Sequence, residues 1–287
     1  MNKLSFDYIR PTSVQEAVTA LQTPDARVIA GGTDLMIEMK EQRKPGGILV
    51  DVTAIPEMTE IWVSDDVVKI GAAVSFTDIS NHPIIRQEFT ALAQAASLVG
   101  SPQIRNRGTI GGNVSTGSSA GDTLCPLTAF GADLLLVGPE GEEIINIIDF
   151  WASDRQKELS VRTLLVKIIL HRNITPTSSS FIKLGRRESL AISRLSVALT
   201  IRRGAGGHIL EAFAAIGSAG RHAYRVPEVG PLMMGKFPGD VDRFAVEKSL
   251  SDAVSRTLGT RSTARYKAQA VQALGRQAME QLGLGAQ

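Results

Sequence analysis

Apolar positions along this chain recur in two periods. Leu195, Val197, Leu199 and Ile201 stand at every second place with small or polar residues between them, the pattern of a strand with one buried face. Residues 209–216 follow across Gly204-Ala205-Gly206-Gly207, which reads as the hairpin partner. Residues 243–258 and 262–282 carry the helical spacing. Nearer the start, Ser13 with Glu16 three residues on marks a helix N-terminus of the capping-box kind, and that helix ends near Thr23-Pro24. Residues 27–30 and 48–52 read as short buried strands on either side of a helix that runs through Lys40. Together they form a β-α-β unit, the arrangement a parallel pair requires.

From Ile61 the texture changes. Residues 60–63 and 67–71 predict strands paired around Ser64-Asp65-Asp66, followed by helices over 76–80 and about 89–98. Residues 100–122 read as one long loop rich in Gly, Ser, Thr and Asn, then a helix over 125–130 and strands over 132–137 and 164–170. Pro176-Thr177-Ser178-Ser179-Ser180 is the best linker by composition. The expected division is 1–176, with subdomains of about 1–55 and 56–176, and an α+β part over 177–287 built on an antiparallel sheet.

The chain has 287 residues, 43% of them hydrophobic and 21% charged, enough for a real core. A formal net charge of +2, with interspersed signs, gives no electrostatic case for nucleic acid or a membrane surface. No apolar stretch has the length of a membrane span, and MNKLSFDYIRPTS has no apolar signal core, so the expected location is the cytoplasm. Cys125 is the one cysteine, which rules out an internal disulfide or an iron–sulfur cluster ligated by this chain alone. It reads as a small buried side chain, and His82, His171, His208 and His222 lack metal-ligand spacing. No metal site and no catalytic acid–base pair is expected.

Two glycine pairs stand out, AGGTDL at 30–35 and TIGGN at 109–113. Glycine at a strand-to-helix turn lets another group approach the backbone, and helix-start amides favour an anion such as a phosphate. For one such pair taken alone, a tight turn that merely needs glycine is the better explanation, and the second pair shifts the balance. Neither pair is the dinucleotide fingerprint G-x-G-x-x-G or a P-loop. Two donor-rich loops could hold the two phosphates of a dinucleotide, with Asp122 accepting from sugar hydroxyls. Asp34 is expected to cap its helix. Arg105 and Arg107 fit phosphate contacts or an ordinary surface role.

AGGTDL, QIRNRGTIGGNV at 103–114 and SSAGD at 118–122 together resemble the FAD-binding medium subunit of the molybdenum hydroxylases, the xanthine dehydrogenase and carbon monoxide dehydrogenase family. FIKLGRR at 181–187 with AIS at 191–193, IGSAGR at 216–221 and STARY at 262–266 extend the resemblance essentially end to end. It implies an α+β fold: a two-part FAD-binding domain of the vanillyl-alcohol-oxidase type and a smaller C-terminal domain. It implies pyrophosphate contacts from Ile29, Ala30, Gly31, Gly32, Thr33, Asp34 and Leu35, and pyrophosphate and ribityl contacts from Thr109, Ile110, Gly111, Gly112 and Asn113. Asp122 would meet sugar hydroxyls, and Leu164 and Lys183 would lie near the ring systems. The family often has a proline between the second glycine pair and the aspartate. Ser115-Thr116-Gly117-Ser118-Ser119 has none, which implies a looser loop.

The resemblance also implies a heterotrimer. A molybdopterin-containing large subunit oxidises the substrate, [2Fe–2S] clusters of a small subunit carry the electrons, and FAD on this chain passes them to NAD+ or another acceptor. Two other readings stay open, a stand-alone FAD-dependent small-molecule oxidoreductase and a non-enzymatic nucleotide-binding module.

Overall fold

The computed structural model describes residues 6–42, 47–153, 155–159, 162–172, 177–185 and 192–285. They form two compact units. The first takes its residues from 1–78, 102–117 and 132–171, the second from 79–101, 118–131 and 172–287.

The first unit holds two sheets. Strands β1 (Asp7–Ile9), β2 (Ala26–Ile29) and β3 (Ile48–Asp51) form a parallel sheet in the order β1-β3-β2. The crossovers are the helices Val14–Leu21 and Leu35–Gln42. Ser13 caps the first of these, its hydroxyl accepting from the Glu16 amide at 3.2 Å, and Glu16 answers by accepting from the Thr12 amide at 2.8 Å. The β-α-β unit is therefore present, with β1 as an extra edge strand. Its three exposed residues give no pattern to read.

The second sheet runs in the order β4-β5-β8-β6-β7. Its members are β4 (Ile61–Val63), β5 (Val67–Gly71), β6 (Asp133–Gly138), β7 (Gly141–Asn146) and β8 (Leu164–His171), all antiparallel to their neighbours. Strand β7 escapes a sequence reading because Glu142, Glu143 and Ile144 are all exposed, so no alternation shows. β8 is the central strand and is buried through Leu164, Leu165, Val166, Ile168 and Leu170.

The second unit is built on the antiparallel order β12-β11-β10-β9. β9 is Thr177–Leu184, β10 Leu195–Arg203, β11 Ile209–Gly217 and β12 Tyr224–Arg225. Thr177 to Ser180, expected as linker, open β9, with Ser180 facing Leu199 of β10. Pro176 lies outside the described residues. The helices Arg243–Leu258 and Ala264–Gln281 pack on each other, and Val246, Leu250, Val271, Leu274 and Met279 join the strand residues in one buried core. β10 is more buried than its alternation implies. Ser196, Ala198 and Thr200 are covered along with their apolar neighbours, because the helix Leu124–Phe130 also packs against β10 and β11.

Candidate functional site

The first glycine pair lies where the sequence puts it, between β2 and the helix Leu35–Gln42. Gly32 has φ +70°, a left-handed conformation open to glycine at little cost. The turn uses its carbonyls and leaves its amides. Met36 donates to the Gly32 carbonyl at 3.3 Å, and Ile37 and Glu38 donate to that of Asp34 at 3.1 and 3.0 Å. The N–H groups of Gly31, Gly32, Thr33, Asp34 and Leu35 have no acceptor among the described residues, and neither has the Thr33 hydroxyl. Five consecutive donors at a helix start form a concentrated positive end. Among the described residues the Asp34 carbonyl takes the first helix amides while its carboxylate takes none of them. Its carboxylate accepts at 3.5 Å from the Thr116 hydroxyl instead.

The second pair is in a different state. Residues 100–122 were expected as one loop, yet Pro102–Arg105 and Ile110–Thr116 are helical. Thr109 caps the latter, its hydroxyl oxygen accepting from the Gly112 amide at 3.1 Å. The remaining amides are also spent: Ile110 on the Val74 carbonyl at 3.1 Å, Gly111 on that of Ala72 at 2.8 Å and Asn113 on that of Thr109 at 3.1 Å. The two glycines differ in use. A Cβ on Gly111 would lie 2.6 Å from the Ala72 carbonyl oxygen, whereas on Gly112 it would meet only Thr109 Oγ1, at 3.0 Å. Gly111 lets the helix sit against the sheet, and Gly112 presents a bare, exposed backbone face.

The two stretches are neighbours within the first unit. A Cβ on Gly31 would fall 1.9 Å from the carbonyl oxygen of Arg107, so only glycine permits that approach. The Arg107 side chain is exposed and has no ion-pair partner among the described residues. At the other end of the helix Gly117 caps at φ +58°, and Gln156 Nε2 donates to the carbonyls of Ser115 at 3.4 Å and Thr116 at 3.2 Å. Ser115 and Thr116 are thus held without the proline. Gln156 lies about forty residues from what it holds, and no local pattern announces it.

Asp122 belongs to the second unit, just before the helix Leu124–Phe130. Its Oδ2 accepts from Lys183 Nζ of β9 at 2.6 Å, and the same ammonium donates to the Leu98 carbonyl at 3.2 Å. Both side chains are almost fully covered, at 6% and 9% exposure. Burial pushes the Asp122 carboxyl up to about 6, against the pull of Lys183. Its Oδ1 is buried and has no hydrogen-bond partner among the described residues. Cys125 is wholly buried, its thiol pushed up to about 12 by that burial, and Sγ donates to the Ala215 carbonyl at 3.3 Å. A thiol so placed is not a nucleophile at neutral pH.

The family model for the FAD-binding domain in molybdopterin dehydrogenases matches residues 4–171. The chain belongs to that family. It is 33% identical over 274 residues to the nicotinate dehydrogenase FAD-subunit of Eubacterium barkeri, covering 93% of this chain and 92% of that protein. It is 28% identical over 236 residues to the putative xanthine dehydrogenase FAD-binding subunit of Escherichia coli, covering 78% and 80%. Among solved structures, a chain of carbon monoxide dehydrogenase from Hydrogenophaga pseudoflava superimposes with a TM-score of 0.86 at 27% identity, over 98% of both chains.

As a member of the FAD-binding family the chain is a flavoprotein subunit of an oxidoreductase, and its cofactor is FAD. The residues present fit that group. A row of unused amides at a helix start suits a pyrophosphate. Of the residues expected from the sequence, the structure brings 29–35 and 109–113 together in the first unit, which also holds Leu164 at 2% exposure. Asp122 and Lys183 are brought together in the second. Among the described residues no group of three or more His, Cys, Asp or Glu side chains is placed to hold a metal, and no helix is long and apolar enough to cross a membrane.

Proposed function

We propose that this chain stands between the [2Fe–2S] clusters of a partner subunit and an external acceptor such as NAD+, in a molybdenum hydroxylase whose large subunit carries the molybdopterin. The observation that carries the assignment of the site is the row of free amides from Gly31 to Leu35, beside the bare face of Gly112. A pyrophosphate takes hydrogen bonds from such a row, and the Thr33 hydroxyl adds one more donor. Ile29 and Ala30 lead the chain into the turn, and Leu35 starts the helix whose dipole favours the negative charge. The second stretch contributes differently. Its amides of Ile110, Gly111, Gly112 and Asn113 are bonded within the protein, so it offers steric room at Gly112 and the side chains of Thr109 and Asn113. Asp122, Leu164 and Lys183 are further cofactor contacts that the family resemblance implies.

Bound FAD supplies the redox chemistry, and the protein supplies binding, orientation and electrostatics. No protein acid or base is required for that role. The relatives support this place in a larger assembly, since they carry the names of FAD subunits of nicotinate and xanthine dehydrogenases and the medium chain of carbon monoxide dehydrogenase. The test is flavin reduction by organic substrate with and without the partner subunits. The relay role predicts reduction only when those subunits are present. Turnover of an aldehyde or a purine by this chain and FAD alone, at about 1 per second or more, would instead establish a stand-alone oxidoreductase.

A further inference from the structure

One part of the second unit gathers positive charge with no counter-charge among the described residues. Ser218 has φ +62°, its amide and hydroxyl both donate to the Ser119 carbonyl, at 2.9 and 3.2 Å, and its own carbonyl accepts from Lys267 Nζ. Burial first, then the charges of Arg194 and Arg261, hold that ammonium below the usual lysine range. We propose that Lys267, Arg194 and Arg261 form an anion site that takes a phosphate group, either free or carried by a nucleotide. The site shares no residue with the flavin site assigned above.

The three cations come from separate stretches of chain that the fold brings together. Arg203 ends β10 and donates to the Leu282 carbonyl at 2.8 Å, just past the helix Ala264–Gln281. Ser180, which faces Leu199 of β10, donates to the Ala278 carbonyl of that helix at 3.0 Å. Strand and helix therefore run side by side in the same direction. The 9 strand residues at about 3.3 Å each span nearly the length of the 18 helix residues at about 1.5 Å each. Arg194, just ahead of β10, is thus level with the start of the helix, where Arg261 precedes the first turn and Lys267 stands on it.

Arg194 and Arg261 are exposed, and their guanidinium groups have no ion-pair or hydrogen-bond partner among the described residues. The carboxylates between residues 192 and 285 are engaged elsewhere: Glu211 with Arg202, Glu228 with Arg256, Glu247 with Arg276, Asp252 with Lys248 and Glu280 with Arg243. Asp242 caps its own helix. Asp240 lies at the opposite end of Ala264–Gln281, where the Gly285 amide donates to the Pro238 carbonyl at 2.6 Å. Like charges gathered without a carboxylate repel, and a bound anion relieves that repulsion. Phosphate suits the set, because guanidinium forks grip its oxygens in pairs and its roughly double negative charge matches more than one cation. The Arg265 and Tyr266 amides at the helix start have no acceptor among the described residues and add donors at its positive end.

The experiment is isothermal titration of the full chain, saturated with FAD so that ADP cannot enter the flavin site, with inorganic phosphate, ADP and adenosine. It compares wild type with Arg194→Gln, Arg261→Gln and Lys267→Met, and near-ultraviolet circular dichroism reports whether each variant is folded. Wild type should bind phosphate or ADP with a Kd of about 1 mM or tighter, and adenosine not at all. Each variant should weaken that binding about tenfold. ADP binding tighter than phosphate identifies a nucleotide ligand, and equal affinities identify free phosphate. Wild-type binding of neither phosphate nor ADP, adenosine binding as tight as that of ADP, or affinities unchanged in folded Arg194→Gln and Arg261→Gln would each overturn the proposal. If Lys267→Met fails to fold, the two arginine variants decide.

Discussion

Four glycines in two look-alike pairs have different jobs, and single substitutions separate them. Gly31 and Gly111 face backbone, at 1.9 Å from the Arg107 carbonyl oxygen and 2.6 Å from that of Ala72. A methyl at either position forces main chain apart, so Gly31→Ala and Gly111→Ala should lower stability by about 2 kcal/mol, visible as a reduced denaturation midpoint. Gly112→Val meets only a side-chain oxygen, at 3.0 Å. It should keep most of the stability and lose FAD, and full flavin occupancy would remove Gly112 from the site. Asp122 adds a pH signature. Its carboxyl is raised in the folded chain from 3.8 to about 6, so its contribution to stability is present below 3.8 and is lost as pH rises through about 6. Denaturation of the FAD-free chain across that window should show a decline that is flatter in Asp122→Asn.

At the scale of elements, the helix Ile110–Thr116 decides how the second motif works. Its Thr109 cap holds the Gly112 amide at 3.1 Å, so Thr109→Ala should cost about 1 kcal/mol and weaken FAD binding, with thermal unfolding and flavin titration as the readouts. This helix was the least legible part of the site. Residues 109–117 contain three glycines, a composition that argues for loop, and tertiary contacts override it: Ala72 and Val74 accept the first amides, and Gln156 holds the last carbonyls. The longer elements were readable from their periodicity: apolar residues alternate with small or polar ones along β10, although both of its faces are covered, and the helices 243–258 and 264–281 keep helical spacing. Strands β1 and β7 were not, since β1 is exposed throughout and β7 is exposed over its first four residues. The first glycine turn was legible in place, because strand, glycine pair and helix are adjacent in sequence. The Asp122–Lys183 pair was not, since 61 residues separate its members.

For the whole molecule the central claim is that this chain binds FAD and relays electrons rather than oxidising a small molecule itself. Its one cysteine is buried and un-ionised at neutral pH, so it offers no thiolate nucleophile. The flavin bound to the isolated chain should therefore be reduced by a nonspecific reductant such as dithionite yet stay oxidised in the presence of organic substrates. The most direct measurement is rapid-mixing absorbance of flavin bleaching on adding substrate, with and without the cluster and molybdopterin subunits. The account predicts bleaching only with both present. Bleaching by substrate in the isolated chain, at about 1 per second or faster, would contradict it.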